Sequence, residues 1–297
     1  MGDRVCAVVV TFNRKHLLRK CLQSLLLQTR PPDHILVVDN ASTDGTLDLL
    51  NSEFPNLEQL KLKTNTGGAG GFKAGMQYAH SSGYDWIWVM DDDIELMPEC
   101  LETMLAWQHV GDVIHVRKQF PWGPLIWEGM WDPSSADLVT YKTDVSFANG
   151  RKWTTVQYSN FEGALIRRMV IDRAGLPDER YFLAGDDTMY GYIASLHSRV
   201  IYVDYVGIMK NAVVQDAPKG RILYYLSIRN RFLTYELMVK NGVQLRPRIF
   251  LLLTFICALS KMMEAARSKN QRVQNVWAAI EGLLDGLRGR FGPPPWI

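Results

Sequence analysis

The segment Val5 to Thr11, VCAVVVT, is apolar almost throughout and rich in β-branched residues, the pattern of a strand covered on both faces. It breaks at FNR. RKHLLRKCLQSLLLQT then sets Leu17, Leu18, Cys21, Leu22, Leu25 and Leu26 on one helical stripe. RPP ends that helix, because proline offers no N–H and its ring blocks the preceding turn. HILVVDN repeats the buried-strand pattern, and ASTDGTLDLL supplies capping side chains ahead of another helix. LEQLKLKT reads as a third strand and NTGGAGGFKAGMQYAHSSG as a glycine-rich turn entering a helix. WIWVM is a fourth strand, and PECLETMLAW starts a helix with proline near its first turn.

Four such alternations at this spacing describe βαβ units. The expected class is α/β, a mainly parallel central sheet with helices on both faces and right-handed crossovers. Ligands of such sheets bind beyond the carboxyl ends of the strands, where Thr11, Asp39 and the run Asp91, Asp92, Asp93 all stand. From Val110 to Tyr158 the pattern loosens, with Trp122, Trp127, Trp131 and Trp153 scattered among Gly, Pro and Asp. SNFEGALIRRMVIDRAGLPDERYFLAGDDTMYGYIASL restores order as a strand, a helix, a turn at LPDER and a helix opened by Asp186 and Asp187. RVIYVDYV is one more strand. Beyond Pro218 the chain turns helical, basic and aromatic, which divides it into residues 1–217 and a C-terminal extension, 218–297.

Charge sharpens that division. The chain carries 33 Lys and Arg against 31 Asp and Glu, a net +2. The stretch from Lys219 onward holds 13 basic and 4 acidic residues, a net +9, leaving the front at 20 against 27, a net −7. Two regions with different partners are implied. The tail's partner is an anionic lipid surface, nucleic acid or the acidic front of the same molecule. Nucleic acid is disfavoured because the basic residues interleave with apolar helix positions instead of forming a dense patch. The four cysteines have no CxxC spacing and sit in apolar patterns, which suits reduced thiols in a cytoplasmic protein. MGDRVCAVVVTF has charge at once and only a short apolar run, so it reads as a strand and not a signal peptide.

The acids carry the candidate chemistry. Successive side chains alternate on an extended segment, so Asp91 and Asp93 share a side and can hold one divalent cation, Mg²⁺ or Mn²⁺, with help from substrate phosphates. A solvated turn is the competing reading. Asp39 can accept hydrogen bonds from a ribose or base, or cap the following turn. Gly67, Gly68, Gly70 and Gly71 match neither phosphate-loop pattern, so close backbone packing beside a ligand is preferred. Asp186 and Asp187 serve as helix-capping acids, or one takes a proton from an attacking hydroxyl. The absence of GxGxxG after the first strand argues against a dehydrogenase.

Taken together, VVVTFNR, VVDNASTDGT, NTGGAGGF, WVMDDDIEL, NFEGALI and GLPDERYFLAGDDTMYGYI resemble glycosyltransferase family 2 with the GT-A fold, a Rossmann-like architecture. NTGGAGGF with MDDD is similar to the galactofuranosyltransferase and rhamnosyltransferase branch of bacterial surface-polysaccharide synthesis. The resemblance covers about residues 4 to 235. It implies inverting transfer from a nucleotide-diphosphate sugar, UDP-galactofuranose ahead of dTDP-rhamnose, to a saccharide acceptor that is lipid-linked or part of a growing polysaccharide. A nucleotide-sugar-binding relative without transfer activity is the third reading. The resemblance assigns Asp39, with Thr11, Asn13 and Arg14 beside it, to the nucleoside side of the donor. Asn65, Gly67, Gly68, Asp91 and Asp92 join it as donor-binding residues. Asp91 and Asp93 match the metal and diphosphate pair, and Asp187 the catalytic base with Asp186 its neighbour. Members usually carry a metal-binding histidine after the strand corresponding to RVIYVDYV; here Lys210 or Asn211 stands there. Trp122, Trp127, Glu128 and Trp131 fall in the acceptor-side region, where an indole face stacks on a sugar; core or subunit-interface packing is the alternative.

The tail segment RPRIFLLLTFICALSKMMEAARSKNQR contains an apolar run of about eleven residues, short of the roughly twenty that span a bilayer. Basic flanks suit a helix lying on the inner, anionic face of the cytoplasmic membrane. Packing against the catalytic domain or a second copy competes with that reading.

Overall fold

The computed structural model describes all residues except 1, 127, 132–140, 143–146, 148–149, 211–219 and 269. β1 (Val5–Thr11), α1 (Lys15–Leu26), β2 (His34–Asp39), α2 (Thr46–Glu53), β3 (Glu58–Lys61), α3 (Gly67–Ser81) and β4 (Trp86–Asp91) follow one another as the alternation requires. β5 (Ile94–Leu96), α4 (Cys100–Leu105), β6 (Val113–Phe120), β7 (Gly123–Leu125), β8 (Met130–Trp131), β9 (Tyr141–Lys142) and β10 (Trp153–Thr155) come next. β11 (Ala164–Arg167), α5 (Arg168–Ala174), α6 (Asp186–His197) and β12 (Val200–Lys210) complete the sheet layer. Three helices, α7 (Arg221–Lys240), α8 (Pro247–Arg267) and α9 (Arg272–Leu287), close the chain.

The main sheet runs β10-β12-β6-β11-β4-β1-β2-β3, with β5 against β12 and β7 against β6; β8 and β9 form a separate pair. β1 pairs in parallel with β2 and β4, β2 with β3, and β12 with β6. β11 enters antiparallel between β4 and β6, and β10 is antiparallel to β12, so the sheet is mixed and mostly parallel. Alternation along β1 explains its unbroken apolar run. Val5, Ala7 and Val9 face a layer containing Leu18, Leu22 and Leu25 of α1. Cys6, Val8 and Val10 face Phe72 and Met76 of α3 with Tyr190 of α6.

β6 is where the structure departs from the sequence pattern, which leaves residues 110–158 loose. It is an eight-residue strand between β11 and β12, but it carries His115 and Lys118 inward, each 1% exposed. Those two polar side chains interrupt the hydrophobic run that would have marked a central strand. The glycine run differs in detail as well: it forms the first turns of α3 and precedes no separate turn. A Cβ on Gly71 would lie 2.6 Å from Val10, and one on Gly75 2.3 Å from Val8, so these glycines let α3 sit directly on β1. In α8 the apolar run of eleven lies within a helix of 21 residues, long and apolar enough to cross a membrane by length and composition.

α7 packs on the sheet layer through Leu233, Leu237 and Met238, which share a cluster with Tyr181, Met189 and Tyr192. The consequence is local to the loop between Tyr181 and Asp186. Phe182, Ala184 and Gly185 all have positive φ, 64°, 68° and 92°, so the loop's carbonyls point away from any regular ladder. Asn230 of α7 donates to the carbonyls of Leu183 (2.9 Å) and Ala184 (2.8 Å), and Arg229 to those of Arg180 (3.1 Å) and Tyr181 (2.6 Å). The helix thereby satisfies the backbone that presents the paired aspartates.

Candidate active site

A cavity of about 600 Å³ opens at the carboxyl ends of β1, β2 and β4. Thr11, Asn13, Arg14, Asn65, Gly67, Gly68, Asp91 and Asp92 line it, together with Phe182 and Leu183 of the loop leading to Asp186. Short side-chain links build its rim. Asn13 has φ 54° and joins the ends of β1 and β2, donating its N–H to Ser42 (2.9 Å) and accepting from the Thr43 N–H (2.7 Å). Asn65 accepts from the Gly67 N–H at 2.8 Å. Gly67 has φ 71°, and a Cβ there would fall 1.8 Å from the Phe182 carbonyl oxygen. Gly67→Ala is therefore expected to destabilise the fold by about 2 kcal/mol or more and to weaken nucleotide binding, because α3 and the Phe182 loop must part. Thermal unfolding and calorimetry check this; unchanged values in both would contradict the packing.

Asp39 is 1% exposed and accepts the Ser42 N–H at 2.9 Å through Oδ1, while its Oδ2 has no hydrogen-bond partner among the described residues. A buried carboxylate oxygen left in that state is costly, and a ligand hydroxyl or N–H would satisfy it.

The three successive aspartates are compensated individually. Asp92, 3% exposed, accepts from Thr11 Oγ1 (2.6 Å) and pairs with Arg14 (3.4 Å); burial still lifts its pKa to about 6. Asp93 lies 3.5 Å from Arg14 and 3.3 Å from Lys210. Asp91, at the cavity wall, is pushed well above the usual carboxylate range by burial and by the Asp93 charge. Lys210 thus stands where relatives were expected to carry a histidine; Asn211 lies outside the described residues. Burial alone would lower the Lys210 pKa, but Glu162, Asp93 and Asp91 raise it, so the ammonium is fixed.

Glu162 stands between Lys210 and Lys118. Its carboxylate pairs with Lys210 and lies 3.5 Å from Lys118; burial would raise its pKa, but the two lysines hold it below the ordinary value. The Glu162 charge raises the pKa of both Asp91 and Asp187. Asp91 and Asp187 therefore both stand within reach of the Glu162 charge, whereas Asp186 lines a separate cavity with Lys73, Asp178 and Arg180. Asp186, 7% exposed, is lifted to about 8 by burial and by the Asp187 charge, which disfavour its ionised form. Asp187 is also raised, chiefly by burial, while the Thr188 N–H at 2.6 Å favours its charged form.

Lys118, Asn160 and Glu162 escaped the residue-by-residue reading, although NFEG contains two of them. Lys118 donates to Glu128 (2.6 Å) and Asn160 (2.7 Å). Glu128, expected on the acceptor side, is fully enclosed and neutralises Lys118 instead of facing a groove. His115, also beside Glu128, is driven down to about 3 by burial and by Lys118, so it is neutral. Trp122 is 66% exposed and stacks on Phe120 at 4.6 Å, whereas Trp131 packs edge-on against Tyr192 at 5.7 Å. Among the described residues, Trp122, Glu128 and Trp131 take three different environments, and Trp127 lies outside the described residues.

Among the described residues, no group of three or more His, Cys, Asp or Glu side chains gathers as a ready metal cage. A hard divalent cation needs only one or two carboxylates when diphosphate oxygens complete its shell. Asp91 lines the donor cavity and Asp93 Oδ1 is buried without a hydrogen-bond partner among the described residues, so the two offer that donor set. The residues fit such an ion, with Lys210 already countering part of the Asp93 charge.

A galactofuranosyltransferase GlfT1 of Mycolicibacterium smegmatis is 34% identical over 210 residues, spanning 66% of this chain and 65% of its own length. This chain therefore spans a little under two thirds of that relative. An N-acetylglucosaminyl-diphospho-decaprenol L-rhamnosyltransferase of Mycobacterium tuberculosis is 26% identical over 228 residues, 64% of this chain and 70% of the relative. The structure of mannosyltransferase PcManGT from Pyrobaculum calidifontis, in complex with GDP-Man and Mn²⁺, superposes with a TM-score of 0.58 at 16% identity, covering 98% of this chain and 88% of that one. That likeness shows the fold, which is GT-A, as expected. The model of glycosyl transferase family 2 matches residues 6–175, more than half of the chain, and the protein therefore belongs to glycosyltransferase family 2.

Proposed function

We propose that the protein moves a sugar from a nucleoside-diphosphate donor, UDP-galactofuranose foremost, to a hydroxyl of a lipid-linked or growing polysaccharide, with inversion at the anomeric carbon. The observation that carries this reading is the cavity at the strand ends, lined by Thr11, Arg14, Asp91 and Asp92, with the buried Asp39 beside it holding one carboxylate oxygen without a hydrogen-bond partner among the described residues. The relative named as a galactofuranosyltransferase supports the choice of sugar.

In this reading Asp39 holds the nucleoside, and Arg14 and Lys210 place positive charge beside the diphosphate. Asp187 takes the proton of the acceptor hydroxyl as its oxygen attacks the anomeric carbon, and the nucleoside diphosphate leaves from the opposite face. Asp91 and Asp93 would hold Mg²⁺ or Mn²⁺, which when bound supplies charge to the leaving group. The reaction takes place in the cytoplasm, on acceptors presented at the inner face of the cytoplasmic membrane.

A donor panel with a synthetic lipid-linked acceptor tests this directly. UDP-galactofuranose should give glycoside with the anomeric configuration inverted. Product from dTDP-rhamnose alone would establish the second reading, which the rhamnosyltransferase relative favours. Binding of donor by calorimetry without acceptor-dependent release of nucleoside diphosphate would leave a binding protein and refute transfer.

A further inference from the structure

α8 has two chemically opposite faces. Phe250, Thr254, Ala258 and Ala265 are buried, and the helix packs on α7 and α9. On the other side Leu251, Leu252, Phe255, Ile256, Leu259 and Met263 are exposed, Leu252 by 60% and Leu259 by 59%. Their spacing places all six on one stripe. Single exposed apolar residues are ordinary, but six in a continuous row mark an interaction surface.

The surroundings of the stripe decide what covers it. Arg246 and Arg248 at one end of α8 and Arg267 at the other are exposed, as are Arg272, Arg288 and Arg290 beyond it. The acid nearest the stripe, Glu264, pairs with Lys261 at 2.7 Å. A second copy docked by two-fold symmetry would set these arginines against their equivalents, which like charges oppose. Anionic phosphate headgroups complement them. The helix is held to α7 and α9 along one side, so only the stripe can meet lipid, and a helix in that state lies in the interface and does not span.

We propose that the exposed face of α8 is the docking surface for an anionic membrane, with Leu252, Phe255, Ile256 and Leu259 at the acyl boundary and the terminal arginines at the headgroups. The proposal stands independently of the donor's identity.

Flotation of the full chain with vesicles of phosphatidylcholine alone, or mixed with phosphatidylglycerol, tests it. The protein should float with the anionic vesicles, and salt at about 0.5 M should release much of it. The triple variant Leu252→Glu, Ile256→Glu, Leu259→Glu should lower the bound fraction by about 10-fold or more. The double variant Arg246→Glu, Arg248→Glu should do so with no change to the packed face, and both should keep the wild-type circular dichroism and nucleotide affinity. Failure of the wild-type chain to float would overturn the proposal, as would binding that neither variant changes. Light scattering that shows a dimer dissolved by the triple variant, with no vesicle binding, would assign the face to a second copy. None of these readouts depends on transfer activity, so failure of the donor assay leaves them intact.

Discussion

Asp187→Asn is expected to lower kcat by roughly 10²- to 10⁴-fold, the usual contribution of a positioned general base, while nucleotide affinity stays within a few-fold of wild type. Asparagine keeps an oxygen where Asp187 Oδ1 accepts the Thr188 N–H and Oγ1, so the first turn of α6 should be preserved. What it loses is the capacity to accept the acceptor's proton. Asp186→Asn should cost far less, because burial and the Asp187 charge disfavour its ionised form and it lines a separate cavity with Lys73, Asp178 and Arg180. The pH dependence follows from the same assignment. A base works ionised, so activity should fall as pH drops through the Asp187 pKa, and burial places that limb above the range of an ordinary carboxylate. Steady-state kinetics of both variants across pH check the claim. Equal losses in the two, or a fully active Asp187→Asn, would remove Asp187 from the role.

Arg229→Met is expected to destabilise the fold by about 3–5 kcal/mol and to reduce turnover with it. The guanidinium is 0% exposed and donates to the carbonyls of Arg180, Tyr181 and Gly292, while two of its N–H groups hold Asn230 Oδ1 at 2.6 and 2.9 Å. Methionine fills comparable space but removes the donor to the Gly292 carbonyl, leaves the Arg180 carbonyl only the Gly292 N–H and the Tyr181 carbonyl only a long Asn230 contact, and frees Asn230, which fixes Leu183 and Ala184. The loop that then relaxes is the one carrying Phe182 to Asp187. Urea unfolding with parallel kinetics measures both effects. A change below about 1 kcal/mol would mean that the α7 contacts are incidental.

The sequence showed the site's acids better than their supports. VCAVVVT and HILVVDN announce buried strands because both faces of β1 and β2 meet helices, and the acids at their ends follow from chain direction alone. Asp186 and Asp187 were legible as a pair opening a helix, which α6 confirms. β6 was not legible, because its inward Lys118 and His115 are matched by Glu128 and Asn160, partners that only the folded chain brings near. The tail's charge misled in another way. Arg229 and Arg231 count toward its net +9, yet they are 0% and 6% exposed and serve the fold, not the surface. No periodicity distinguishes a buried arginine of α7 from a solvated one. α8 was underestimated because polar Ser260 and Lys261 end the apolar run while the helix continues to Arg267.

A crystal structure of the protein with UDP and a divalent cation tests the central claim most directly. The account places the uridine beside Asp39 and the diphosphate between Arg14, Asp91 and Lys210, with Asp187 directed at the space beyond the terminal phosphate where the sugar would sit. UDP bound away from the ends of β1 and β4, or a diphosphate with Asp187 turned from it, would contradict it.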